Sequence, residues 1–194
     1  MKTIVGFLSR PHGFEVLSAL VESSNYKLLK VYTHMLNPKS QDSNRSKRID
    51  YDLFASKCLA NNIELISIDS KDQEISDFPD CDFIVEVSWR YLIPEKITSK
   101  AKIAAFGIHR GKLPEYAGAE PIKQALSNGE KEVVISSHYL VPKIDQGNTI
   151  TIMTHPVNYN SQYSLEQNMQ RLREEITPLF SLLTFKTLQI LSKE

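Results

Sequence analysis

Short apolar runs alternate along the chain with segments whose apolar residues recur at helical spacing. The runs predict strands and the spaced segments predict helices. Between several strands the apolar residues recur at helical spacing, as they do in 14–21. This order predicts an α/β fold, with a mainly parallel sheet flanked by helices. Short apolar runs predict seven strands, at residues 3–8, 26–33, 63–68, 82–87, 101–108, 132–139 and 148–155.

The end of the chain predicts a long helical segment. Residues 164–167 match a capping box, and an apolar stripe at helical spacing follows as far as Leu183. Pro178 should kink or split this helix, because proline removes a hydrogen-bond donor and clashes with the preceding turn. Most of the stripe is expected to be core. Part of it is also a candidate for a homodimer interface, which the sequence leaves open.

Composition narrows the class of protein. With 194 residues, 41% of them hydrophobic, the chain is expected to form a single domain over 1–194 with a sizeable core. Its formal net charge of zero favours neither nucleic acid nor a membrane surface as a partner. No apolar run approaches the ~20 residues of a membrane span. The two cysteines form no CxxC pair and the histidines lack metal-ligand spacing, so we expect a cytoplasmic protein without a metal site.

Candidate chemistry lies where predicted strands end. In a sheet of this kind the ligand crevice is at the carboxyl ends of the strands. Residues 9–13 follow the first strand and predict a turn, since they combine Ser, Pro and Gly. His109 follows the fifth strand, and Asp145 lies in a tight loop between the last two. A histidine can move a proton near neutral pH. Taken alone, however, a loop histidine is more often structural and an Asp near a Gly is usually a turn former.

His109 and Asp145 lie in sequence motifs that are more specific than either residue alone. Residues 92–150 resemble the catalytic domain of 10-formyltetrahydrofolate-dependent formyltransferases, and a weaker likeness extends back to Met1. The second motif of that family, an Asp-x-Gly turn between strands, matches Asp145-Gln146-Gly147. The first motif is matched by His109, Leu113, Pro114, Gly118, Ala119, Pro121, Asn128 and Gly129.

The resemblance implies a Rossmann-like fold and a role for each matched residue. A substrate amine would attack the formyl carbon of 10-formyltetrahydrofolate, the co-substrate. His109 would stabilise the resulting oxyanion, and Asp145 would hold the imidazole and help a water carry the amine's proton. By the same resemblance, the folate is expected to contact Arg90, Tyr91, Leu92 and Val141, chiefly through backbone groups.

One position departs from the family pattern. Gly107 stands where the family has an asparagine whose side chain donates to the formyl oxygen. Loss of such a donor typically costs ~3 kcal/mol of transition-state stabilisation. Arg110, Ser137 or a backbone N–H is a candidate replacement. Alternatively the enzyme is slow or uses an altered substrate, or the chain is a non-catalytic folate- or nucleotide-binding protein.

The expected substrate follows by elimination. Residues 9–13 hold one glycine, unlike the Gly-rich phosphate loop of glycinamide ribonucleotide enzymes. The chain stops at Glu194, so we expect no C-terminal barrel of the kind with which methionyl-tRNA formyltransferases grip tRNA, and the basic loop 34–50 is expected to be solvated surface. A small primary amine is favoured, such as a nucleotide-linked amino sugar whose phosphates would meet Arg10 and His12. A methionyl-tRNA formyltransferase-like enzyme is the alternative.

Overall fold

The structure is a computed structural model that describes residues 1–193. The chain forms two compact units, Met1–Ala105 and Phe106–Glu194. A single catalytic domain over 1–194 stays a prediction. None of the helices in the described chain is long and apolar enough to cross a membrane.

Strands and helices alternate in the first unit. Strand β1 (Lys2–Leu8) pairs in parallel with β2 (Tyr26–Thr33) and with β4 (Cys81–Val87). Strand β2 also pairs in parallel with β3 (Glu64–Ser67). The core lies along β1 and β4, whose apolar side chains are fully buried at Ile4, Phe7 and Phe83. The elements are β1 (Lys2–Leu8), α1 (Arg10–Glu22), β2 (Tyr26–Thr33), α2 (Tyr51–Ala60), β3 (Glu64–Ser67), β4 (Cys81–Val87) and α3 (Glu95–Thr98).

The first unit contains a reversal of strand order. The chain runs outward from β1 through β2 to β3 and then returns to β4 on the other side of β1. A reversal of this kind opens a crevice at the carboxyl ends of the two central strands. The residues that directly follow β1 and β4 are therefore placed for ligand binding.

The second unit is built on antiparallel pairs. Strand β5 (Ala101–His109) enters it, and its residues 106–109 pair with β6 (Glu132–Tyr139). Strand β6 in turn pairs with β7 (Thr149–Pro156). The strands of this unit lie in the order β5-β6-β7. The helices of this unit are α4 (Pro121–Ser127), α5 (Leu165–Glu175) and α6 (Thr177–Leu191).

The α/β class and all seven strands are confirmed, with boundaries within two residues of those predicted. The capping box at Ser164 is present, and the long helix is split at Ile176, so that Pro178 lies in the first turn of α6. The turn predicted over residues 9–13 is wrong, because α1 begins at Arg10. Pro11 is tolerated there since an N–H in the first turn has no partner within the helix. The short helix α3 was not predicted.

Candidate active site

His109 ends β5 and is held from two sides. Its Nε2 donates to the carbonyl oxygen of Tyr116 at 2.7 Å. Its Nδ1 lies 3.4 Å from Oδ2 of Asp145, and only 10% of the imidazole side chain is exposed. Both ring nitrogens thus face acceptors. The predicted pair of His109 and Asp145 does come together.

The loop after His109 is fastened so that the Tyr116 carbonyl is fixed. The hydroxyl of Ser136 donates to the carbonyl of Gly111 at 2.8 Å, which ties the start of the loop to β6. The phenol of Tyr116 donates to Glu130 at 2.6 Å and accepts from Asn128 at 3.2 Å. The hydrogen bond to Glu130 raises the pKa of the phenol. Asn128, matched by family resemblance alone, therefore supports the loop that orients His109.

Asp145 is presented by a tight turn. Its φ of 55° is in the left-handed region, which a non-glycine residue seldom adopts and which is enriched at functional sites. Its Oδ2 accepts from the backbone N–H of Gly118 at 2.9 Å. Two positions on, a Cβ at Gly147 would lie 1.7 Å from the carbonyl oxygen of Tyr139, so only glycine allows the backbone to approach this closely. The Asp-x-Gly pattern therefore has a steric cause.

A second histidine faces the same carboxylate. His138 is 3% exposed, and its Nε2 lies 3.7 Å from Oδ1 of Asp145. Its Nδ1 lies 3.1 Å from the carbonyl oxygen of Tyr139. Burial is the main cause that lowers the pKa of His138, while the Asp145 charge acts in the opposite sense. Sequence reasoning missed this residue, although its position two residues after Ser136 on an alternating strand places it on the same face as that residue.

The environment of Gly107 bears on the missing asparagine. Gly107 is the direct partner of His138 in the β5–β6 ladder, and Ile108 is the partner of Ser137. Because side chains alternate along a strand, Ser137 lies on the opposite face from His138. Its hydroxyl donates to the carbonyl of Thr151 at 3.2 Å and accepts from the N–H of that residue. Ser137 is therefore placed unfavourably to replace the asparagine.

The segment expected to hold folate lies after β4 in the first unit. The N–H of Arg90 donates to Nε2 of His34 at 3.2 Å, and its guanidinium donates to the carbonyl of Leu36 at 2.8 Å. The Nη1 of Arg90 is buried without a hydrogen-bond partner in residues 1–193. Tyr91 donates to the carbonyl of Asp69 at 2.8 Å, and Leu92 is 49% exposed. In the second unit, Val141 is 37% exposed.

His34 fixes the backbone of that segment. It is 1% exposed, and its ring stacks on Trp89 with centroids 4.0 Å apart. Burial is the main cause that lowers its pKa to about 3, so the ring is neutral at neutral pH. A neutral ring has one N–H, which donates from Nδ1 to the carbonyl of Ile68, and one lone pair, which accepts from Arg90. Sequence reasoning had placed His34 in a solvated loop.

Basic side chains also gather after β1. Arg10 has a φ of 65° and donates to Gln41 at 2.7 Å. Burial and then the charges of Arg48 and Arg90 lower its pKa. Arg48 is 2% exposed and is neutralised by Asp50 at 2.6 Å, so it is part of the framework. Arg10 and Arg90 instead bond to neutral oxygens, which leaves their charge available to an anion.

Two further predictions concern His12 and a metal site. The structure places His12 within α1 at 4% exposure, so its ring is largely enclosed by protein. In the part of the chain that is described, no group of three or more His, Cys, Asp or Glu side chains is arranged to hold a metal ion.

The fold and this arrangement define a class of protein. A histidine paired with a carboxylate at the end of a sheet strand can take part in proton transfer. The family model described as formyl transferase matches residues 7–182 of the chain. The protein belongs to the formyl transferase family.

Relatives agree with this placement, and a solved structure has a similar fold. A methionyl-tRNA formyltransferase of Limosilactobacillus fermentum is 28% identical over 166 residues, which cover 81% of this chain and 50% of the relative. One from Lactobacillus delbrueckii is 28% identical over 187 residues, which cover 94% of this chain and 56% of the relative. This chain thus spans about half the length of these relatives. A phosphoribosylglycinamide formyltransferase structure from Anaplasma phagocytophilum is similar in fold, with a TM-score of 0.72 and 16% identity over 99% of this chain and 88% of that one.

Proposed function

We propose that this chain transfers a formyl group from 10-formyltetrahydrofolate to a primary amine on a small substrate. The observation that carries the proposal is the clamping of His109 between the Tyr116 carbonyl and the Asp145 carboxylate. In this proposal His109 stands beside the oxyanion of the tetrahedral formyl intermediate, and the Asp145 carboxylate holds the ring. Membership of the formyl transferase family supports the same reaction class.

The proposed donor site uses the residues implied by the family resemblance. In the first unit Leu92 is exposed enough to contact a ligand. The hydrogen bond from Arg90 to His34 holds the backbone beside Leu92 in place. The buried Nη1 of Arg90 is a donor without a partner in residues 1–193, which fits an acceptor supplied by a ligand.

The proposed substrate carries an anionic group as well as the amine. Arg10 and Arg90 both follow strands that flank the reversal of strand order in the first unit, and each bonds to a neutral oxygen. Burial first, and then the charges of Arg48 and Arg90, lower the pKa of Arg10, and a bound phosphate would offset these effects. A nucleotide-linked amino sugar has both the amine and the phosphates. The alternative, methionyl-tRNA, is favoured by the names of the relatives.

The test is formyl transfer by the purified chain to a panel of amines, read as formylated product by mass spectrometry. The panel includes nucleotide-linked amino sugars, glycinamide ribonucleotide and methionyl-tRNA. His109→Ala should lower the rate ~100-fold or more, because it removes the proposed oxyanion stabiliser. Ser137→Ala is the matched control, since Ser137 lies on the opposite face of the same sheet.

Two results would contradict the proposal. Unchanged turnover in His109→Ala would remove that residue from the mechanism. Folate binding without turnover on any amine would favour the second candidate, a non-catalytic folate-binding protein, for which Gly107 is the supporting observation.

A further inference from the structure

The face of the β5–β6 pair that carries His109 also carries a second imidazole. Gly107 and His138 are direct partners in this antiparallel ladder, as are His109 and Ser136. Partners in an antiparallel pair point to the same face, and so do residues two apart on one strand. His138 therefore shares a face with His109, and the position across from it has no side chain.

The hydrogen bonds of His138 decide what its free nitrogen can do. A carbonyl oxygen only accepts, so the contact of Nδ1 with the Tyr139 carbonyl at 3.1 Å places a hydrogen on Nδ1. In the neutral ring Nε2 then holds a lone pair and is an acceptor. That Nε2 is buried and has no hydrogen-bond partner within residues 1–193. Buried polar atoms without a hydrogen-bond partner are rare in proteins, so we expect a ligand to supply the partner of this Nε2.

The nearest charged group to that nitrogen is another acceptor. Oδ1 of Asp145 lies 3.7 Å from Nε2 of His138, and the second oxygen of the carboxylate already serves His109 and Gly118. Two acceptors at this separation repel unless a donor serves both. A primary amine has two N–H groups and can donate to each. We infer that His138 is a second catalytic histidine, the general base that takes the proton of the attacking amine on Nε2.

Charge balance supports the assignment, which rests on the proposed formyl transfer. Burial keeps His138 neutral, and hence able to accept a proton, because it lowers the pKa of the ring. Once protonated, the ring is stabilised by Asp145 at 3.7 Å. His109 differs from His138 in having an acceptor at each nitrogen.

The lone pair of the amine forms a bond to the formyl carbon, and the C=O electrons move to oxygen beside His109. The proton lost by the amine moves to Nε2 of His138. When the C=O bond re-forms, the bond from carbon to the folate nitrogen breaks. That nitrogen receives the proton from His138, so one proton has moved from the substrate amine to tetrahydrofolate and both histidines return to their initial states.

The experiment compares steady-state kinetics of His138→Asn with those of the wild-type chain. Asparagine retains a donor near the position of Nδ1 and removes the base at Nε2. We expect kcat to fall by ~100-fold or more, the typical contribution of a general base, with little change in KM for the amine. The acidic limb of the wild-type pH profile, where His138 becomes protonated near Asp145 and His109, should disappear in the variant.

The matched control is His155→Asn, because His155 lies on β7 and pairs with the exposed Glu175 at 2.8 Å. Equal kcat in the two variants would overturn the inference. If His138→Asn fails to fold by circular dichroism, His138→Gln replaces it, and wild-type activity in His138→Gln would overturn the inference equally.

A readout without turnover separates this inference from the proposed function. Nitrogen-15 NMR of the wild-type chain near neutral pH should show His138 protonated on Nδ1 and bare on Nε2. A hydrogen on Nε2 would overturn the assignment of a base. If no amine is formylated but the expected tautomer is observed, the proposed reaction fails while the acceptor at His138 stands.

Discussion

His34 and His138 are two buried histidines, one in each unit, that differ in the hydrogen bonds of their second ring nitrogen. Both are nearly inaccessible, and in both burial lowers the pKa of the ring. His34 has a partner on each nitrogen, Ile68 on one side and Arg90 on the other. His138 has a partner on Nδ1, and its Nε2 has none in the described residues.

The difference distinguishes a structural histidine from a reactive one. His34, a neutral ring with a partner on each nitrogen, holds two chain segments together. His138, a neutral ring with a partner on one nitrogen, retains a lone pair for chemistry. Burial alone therefore does not separate these two histidines, and the hydrogen bond of the second nitrogen does. Three substitutions test this difference. They replace Asp145, which faces both His109 and His138, then His34, and then Gly107, which lies opposite His138.

The largest effect is expected for Asp145→Asn. Asparagine adopts the left-handed backbone that this position requires, so the turn should be preserved. The variant loses the negative charge that faces both His109 and His138. We expect kcat to fall by ~10⁴-fold, as when the carboxylate that orients a catalytic histidine is replaced by an amide. A loss no greater than that of His138→Asn would show that the carboxylate acts on one histidine only. Steady-state kinetics and a thermal melt are the measurements.

The next effect tests the structural side of the comparison. His34→Ala leaves the Ile68 carbonyl and the Arg90 N–H without their partner and removes the ring that stacks on Trp89. We expect the free energy of unfolding to fall by about 3 kcal/mol, as for loss of a packed ring with unpaired polar groups. Folate affinity should fall as well, because the Arg90 segment is released. Urea unfolding and folate titration are the measurements, with His155→Ala as the control.

The dependence of stability on pH sharpens the same test. The pKa of His34 is about 3 in the folded chain, below the ~6.5 of an unfolded histidine. Its contribution to stability is therefore full above pH ~6.5 and is lost as the pH falls toward 3, since the unfolded chain then binds the extra proton. The loss should approach about 1.4 kcal/mol per pH unit in the wild type. If His34→Ala shows the same slope between pH 6 and 4, the folded ring is not neutral.

Local sequence patterns predicted the strands and helices well, because alternation and helical spacing are local properties. The family motif also predicted that His109 and Asp145 meet. The role of His138 was missed because it depends on the register between β5 and β6, which no single segment encodes. The burial of His34 depends likewise on the distant Ile68 and Arg90. The start of α1 was misread for a different reason, since Pro11 is typical both of a turn and of the first turn of a helix.

The smallest effect is expected at the position opposite His138. Gly107→Asn adds an amide on the face that carries both histidines of the second unit, and its N–H can donate to the formyl oxygen. We expect kcat to rise by up to ~10-fold, less than the full worth of an oxyanion donor, because His109 already stabilises the charge. Gly107→Ala is the control, since it adds bulk without a donor. A fall in kcat for both variants would mean that Nε2 of His138 needs the space beside Gly107 to reach the amine. A rise in kcat for Gly107→Asn together with a fall in kcat for Gly107→Ala would show that the amide and His138 act on different atoms of the same intermediate.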